Sequence, residues 1–109
     1  MRRGDFVTIA MQDDFGKPRP ALVIQADHFD EHATVTVLPV TSTLVDAPLF
    51  RITLVPDAAN GLHKPSQVMV DKAMTVKRDK LGPAFGRIDG GDALVELERC
   101  LAVFLGIAK

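Results

Sequence analysis

The stretch Gly16-Lys17-Pro18-Arg19-Pro20-Ala21-Leu22-Val23-Ile24-Gln25-Ala26 sets two cations and two prolines directly ahead of the most apolar run in the chain. Pro20 to Ala26 is nearly continuous in apolar residues, which is the pattern of a buried strand. Proline on both sides restricts Arg19 to extended geometry and removes neighbouring N–H groups. A side chain held in this way can point from the mouth of a strand into a cleft, from a backbone with little entropy left to lose. On composition alone, a solvated turn explains the segment equally well.

The same texture continues on both sides. Asp5 to Ala10 mixes apolar and polar positions as a half-buried strand does, and Gln12 to Pro18 is a loop holding Asp13, Asp14 and Gly16. Thr34 to Val40 is a second buried run, and Phe50 to Val55 alternates again. Ala58 to Pro65 is a loop, because Asn60-Gly61 supplies turn chemistry and Pro65 halts regular pairing. Ser66 to Val70 and Ala73 to Val76 are further strands, followed by a polar turn from Lys77 to Lys80 and a last strand from Pro83 to Ile88.

The period changes at the C-terminus. Leu94, Leu97, Leu101, Phe104 and Leu105 fall at helical spacing and form the face expected to cover the strands. Asp89 and Asp92 suit the positive end of the helix dipole, and Gly106 lies where a terminating glycine belongs. Five to seven short strands with one terminal helix predict a mainly β fold, a strongly bent barrel closed by that helix. At 109 residues, with no linker or repeat, the chain is read as one domain over residues 1–109.

Composition excludes some functions. Thirteen basic and fourteen acidic residues leave a net charge of −1, which argues against a protein that coats nucleic acid through bulk positive charge. The single cysteine, Cys100, lies in the helical run and is read as a buried apolar residue; with no partner in the chain it points to a reducing, cytoplasmic setting. No apolar stretch approaches the ~20 residues that cross a bilayer. There is no Gly-x-x-x-x-Gly-Lys-Ser/Thr loop and no Gly-x-Gly-x-x-Gly. His28 and His32 are four apart but lack a third nitrogen or sulfur ligand nearby, so they are read as loop histidines and no metal is expected.

Two more clusters stand out. Pro39-Val40-Thr41-Ser42-Thr43 gathers three hydroxyls where a buried strand meets a loop, and Asp71-Lys72 follows the apolar run Val68-Met69-Val70. Turn capping accounts for the first more readily than function does, and strand-end turn chemistry accounts for the second as readily. Residues 72–87 carry Lys72, Lys77, Arg78, Lys80 and Arg87 against Asp79 alone, a balance of +4, whereas residues 89–98 carry four acids and no base. A near-neutral chain therefore contains a basic stretch able to meet phosphates.

In order and joint spacing these segments resemble the MazF/PemK family of toxin endoribonucleases. Arg3-Gly4-Asp5-Phe6-Val7 is similar to the family's opening, and Gly16-Lys17-Pro18-Arg19-Pro20 with the strand behind it resembles its most diagnostic stretch. Val37-Leu38-Pro39-Val40-Thr41-Ser42, Ser66-Gln67-Val68-Met69-Val70-Asp71-Lys72, and Thr75-Val76 with Leu81-Gly82 follow in the expected order. The resemblance covers essentially the whole chain. It implies an SH3-like barrel of the MazF/CcdB/PemK type, working as a homodimer that cuts single-stranded RNA without a metal or other cofactor and is restrained by a cognate antitoxin. The family's functional arginine falls on Arg19, its strand-end threonine on Thr41 beside Ser42, and its later acid on Asp71. Two departures are visible: Met69 stands where some members have arginine, and the first loop lacks a histidine that some members carry.

The implied reaction is attack of a ribose 2′-hydroxyl on the adjacent phosphorus. Arg19 suits the growing charge on the non-bridging oxygens, because guanidinium presents a fork of donors, but it makes a poor base. Asp71 is the expected proton acceptor, with Thr41 and Ser42 holding a phosphate oxygen or orienting the hydroxyl. Lys17, Lys72, Lys77 and Arg78 are the expected RNA-binding cations. Base recognition is assigned to the loops Gln12 to Lys17, Thr43 to Leu49 and Ala58 to Pro65, which requires unstacked single strands. Two alternatives share the fold: a CcdB-like gyrase poison, and a non-catalytic RNA-binding barrel.

Overall fold

On one strand Val35 and Val37 point to one face, Leu38 and Val40 to the other, and all four are buried. That strand is the hub of the fold. The computed structural model describes residues 1–10, 17–88 and 91–108. Among these the chain forms β1 (Asp5–Ala10), β2 (Pro18–Val23), β3 (Thr34–Thr41), β4 (Arg51–Leu54), β5 (Ser66–Met69), β6 (Met74–Lys77), β7 (Gly86–Arg87) and the helix α1 (Asp92–Phe104). The architecture is mainly β with one C-terminal helix, as the sequence predicts.

The strands are antiparallel neighbours in the order β4-β5-β3-β2-β1-β7, with β6 added to β3. β6 pairs with the first half of β3, Thr34 to Val37, and β5 with its end, Val40 and Thr41. The sheet buries apolar residues on both faces. Phe6, Leu22, Leu38, Val40, Ile52 and Val68 share one core with Leu97 and Cys100 of α1. Val7, Ile9, Ala21, Val23, Val35 and Val37 form a second core, covered by Met74, Val76 and Leu81. The two-sided burial explains why β2 and β3 read as continuous apolar runs instead of alternating.

Some boundaries differ from the sequence reading. β2 begins at Pro18 and ends at Val23, instead of running from Pro20 to Ala26, because Pro18 and Arg19 pair with Ala10 and Ile9 of β1. The Pro83 to Ile88 strand shrinks to Gly86–Arg87. In α1 the buried residues are Leu97 and Cys100, with Ala93, Leu94 and Leu101 packed beside them. Phe104 and Leu105, expected to cover the strands, are 49% and 61% exposed, because the last turn overhangs the packed surface. The helix ends as expected at Gly106 (φ +76°), where Ile107 N–H reaches Ala102 O and Gly106 N–H reaches Val103 O in a Schellman arrangement. The expected N-terminal Asp89 lies outside the described residues; Gly91 occupies the N-cap and Asp92 the first turn. No helix among the described residues is long and apolar enough to cross a membrane.

Candidate active-site cleft

The ladder between β2 and β3 stops at Ala21–Pro39, although both strands continue. Ile24 N–H donates to Thr36 O, so the next bonds along this register would join residues 20 and 40, and Pro20 has no N–H to donate there. Beyond that point β2 follows β1, with Arg19 opposite Ile9, while β3 follows β5, with Thr41 opposite Gln67. Continued by two residues, the lost register would have placed Arg19 opposite Thr41. The diverging strands instead open a cleft of about 460 Å³, with Arg19 and Pro20 on one side and Val40, Thr41 and Ser42 on the other. Pro20, one of the two prolines that make the segment conspicuous in the sequence, therefore helps to create the opening that Arg19 lines.

The remaining wall comes from the loop after β4. Asp57 Oδ1 accepts the N–H groups of Ala59 and Asn60 at 2.8 and 2.7 Å, and Asn60 Oδ1 accepts those of Asp57 and Leu62 at 3.1 and 3.0 Å. Gly61, at φ +66°, lies so close to Phe85 that a Cβ there would fall 2.4 Å from the Phe85 carbonyl oxygen. This anchored turn presents Leu62, His63 and Lys64 to the cleft, with Phe85 beside them. Ser66 Oγ donates to Lys64 O at 2.9 Å and closes the loop.

Thr41 has both a structural and an available chemical function. Its Oγ1 accepts the Thr43 N–H at 3.1 Å, the turn capping expected of the hydroxyl cluster, which leaves its O–H proton as a donor. Ser42 beside it is exposed. The charged side chains lining the cleft are Arg19 and Lys64, and no carboxylate lines it among the described residues.

The other expected site residues lie elsewhere. Asp71 sits in a 3-10 turn, Val70–Lys72, four residues past the Gln67 that pairs with Thr41. The structure does not bring it to the cleft. Its Oδ2 is 3.8 Å from Lys72 Nζ, and its Oδ1 is buried without a hydrogen-bond partner. Lys77 pairs with Thr34, at the opposite end of β3 from Thr41. Arg78 is turned back onto the fold, its Nε donating to His32 O at 2.9 Å. Arg87 of the basic stretch is held by Asp5, Nη1 to Oδ1 at 2.5 Å. Lys17 is exposed immediately before β2, and the rest of its loop lies outside the described residues. The sequence reading assigns base recognition to the loop Ala58 to Pro65 but singles out neither His63 nor Lys64 in it. His28 and His32 flank Phe29 edge-on on an exposed turn, as loop histidines do.

Comparisons with known proteins agree with this architecture. Residues 2–105 match the family model described as PemK-like, MazF-like toxin of type II toxin–antitoxin system. The chain is 50% identical over 109 residues to a probable endoribonuclease MazF of Mycolicibacterium smegmatis, covering 99% of each chain. It is 36% identical over 97 residues to endoribonuclease MazF3 of Mycobacterium tuberculosis, covering 84% of this chain and 82% of that one. Among solved structures, an endoribonuclease in complex with its cognate antitoxin from a mycobacterial species superposes with a TM-score of 0.82 at 19% identity, over 100% of this chain and 98% of that one. The match along nearly the full length places the chain in the PemK-like, MazF-like family of type II toxins.

Proposed function

We propose that this toxin endoribonuclease cuts single-stranded RNA by attack of a ribose 2′-hydroxyl on the adjacent phosphorus, without a metal ion. The observation that carries the proposal is the cleft where β2 and β3 part, which Arg19, Thr41 and Ser42 line together. In this reading the Arg19 guanidinium meets the charge that grows on the non-bridging oxygens, and the Thr41 and Ser42 hydroxyls hold a phosphate oxygen. Attack yields a 2′,3′-cyclic phosphate and a free 5′-hydroxyl.

The substrate enters unpaired, because bases must be splayed out to be read by loops. The partners are a second copy of the chain and a cognate antitoxin, in line with the complex of the mycobacterial relative. Exposed Leu49, Val95, Leu105 and Ile107 offer apolar surface for such contacts. Incubation of the purified protein with a defined single-stranded RNA in EDTA tests the reaction. Discrete cuts bearing 2′,3′-cyclic phosphate and 5′-hydroxyl ends are expected. Intact RNA alongside inhibited DNA supercoiling would instead mark a gyrase poison.

A further inference from the structure

Attack by a 2′-hydroxyl needs a group that accepts its proton, and among the described residues the cleft contains few. Arg19 and Lys64 are donors without acceptor capacity, and the hydroxyls of Thr8, Thr41, Ser42 and Ser66 are weak bases. Asp71, expected to fill this role, does not line the cleft. His63 does. Its side chain is exposed and has no hydrogen bond or ion pair among the described residues. Its position is fixed from below by the Asp57–Asn60 turn, by the tight contact of Gly61 with Phe85, and by the Ser66–Lys64 hydrogen bond. Imidazole is the side chain whose charge changes between pH 5 and 8, the range in which a general base works best.

We infer that His63 is the general base of the cleft. The inference rests on the 2′-hydroxyl reading above. A neutral ring nitrogen of His63 takes the 2′-hydroxyl proton as the O2′–P bond forms. The P–O5′ bond breaks with its electron pair on O5′, which takes a proton from water, and His63 returns its own proton to solvent. Among the described residues, the charged groups that share the cleft with His63 are Arg19 from β2 and Lys64 from the same loop, and the β1, β3 and Phe85 segments present only uncharged side chains to it.

The test uses a single-stranded RNA whose cut site has been mapped with the wild-type protein, and the same RNA with sulfur in place of the O5′ leaving atom at that site. His63→Gln, at an exposed position, keeps the fold, which its thermal midpoint checks. It should cut on the order of 10²-fold or more slowly. It should also lose the rise in rate with pH that wild type shows on the acid side, and added imidazole should restore part of the activity of His63→Ala. The defect of His63→Gln should persist on the sulfur-substituted RNA, because that leaving group needs no acid. An unchanged pH profile in His63→Gln overturns the inference while cyclic-phosphate products leave the 2′-hydroxyl reading standing. A defect that disappears on the sulfur-substituted RNA makes His63 an acid and also overturns it. Wild-type products ending in 5′-phosphate would overturn the reaction itself.

Discussion

The side-chain amide of Gln67 pairs with the backbone of Val45 as one peptide group pairs with another. Val45 N–H donates to Gln67 Oε1 at 3.1 Å, and Gln67 Nε2 donates to Val45 O at 2.9 Å. Gln67 is only 5% exposed and also accepts from Arg51 Nη1 at 3.0 Å and donates to Thr53 Oγ1 at 3.1 Å. One buried side chain on β5 thus ties the loop after Ser42 to β4. Because Gln67 is also the β-ladder partner of Thr41, it couples one side of the cleft to the loop after Ser42.

Gln67→Met keeps the volume and removes all four of these hydrogen bonds. Leaving buried polar partners unmade costs more than the net worth of each bond, so a loss of about 2–3 kcal/mol is expected. Urea unfolding measures it as a lower midpoint at unchanged slope. A loss below about 0.5 kcal/mol would mean that the loop holds its place without Gln67.

Arg19→Ala should fold normally and cut RNA about 10²–10³-fold more slowly, the usual consequence of removing one donor to a developing oxyanion. Arg19→Lys should recover little, since an ammonium cannot reproduce a planar two-donor fork. Single-turnover cleavage with a labelled RNA separates the loss of rate from any loss of binding. Near-normal turnover by a folded Arg19→Ala protein removes Arg19 from the mechanism.

The fold was legible because two-sided burial leaves an unmistakable trace. Val35, Val37, Leu38 and Val40 read as a buried strand whatever surrounds them, and Gly106 ends the helix where a left-handed residue is needed. The Arg19 side of the cleft was legible too, since prolines at 18 and 20 constrain geometry locally. What the sequence does not carry is how far apart two ladders drift. Asp71 is close to Thr41 by way of β5, yet the strand direction takes it away from the cleft. The basic stretch from Lys72 to Arg87 is continuous along the chain, but the fold disperses it: Lys77 goes to the far end of β3, Arg78 to His32 O and Arg87 to Asp5. His63 became a candidate only when the Gly61–Phe85 contact had placed its loop.

Cys100 is fully buried, and burial pushes its thiol above the ordinary range, with Arg99 opposing the shift only in part. The thiolate is the reactive form, so the native protein should resist iodoacetamide at pH 8 and label fully only in denaturant. The linkage has a definite sign. With the folded value raised, the unfolded chain loses its proton first, so stability falls as pH climbs past the ordinary thiol value. Denaturation of wild type and Cys100→Ala across the alkaline range should therefore show the steeper decline in wild type. Labelling of the native thiol as fast as free cysteine would contradict its burial.

Lys64 rather than the basic stretch should carry the salt dependence of RNA binding. It lines the cleft with Arg19, whereas Lys77 pairs with Thr34, seven residues along β3 from Thr41 and so about 23 Å away at the usual rise per residue. Each cation that meets a phosphate on a single strand contributes about 0.7 to the slope of log affinity against log salt. In an Arg19→Ala background, where cleavage is slow enough for binding to be read, adding Lys64→Ala should lower that slope by about one such contribution. Adding Lys77→Ala should leave it unchanged. Fluorescence anisotropy with a labelled single strand, titrated between low and moderate salt, reads both slopes directly. If Lys77→Ala lowers the slope and Lys64→Ala does not, the strand lies along β6 and the 78–80 turn, and the cleft between β2 and β3 is not where its phosphates are held.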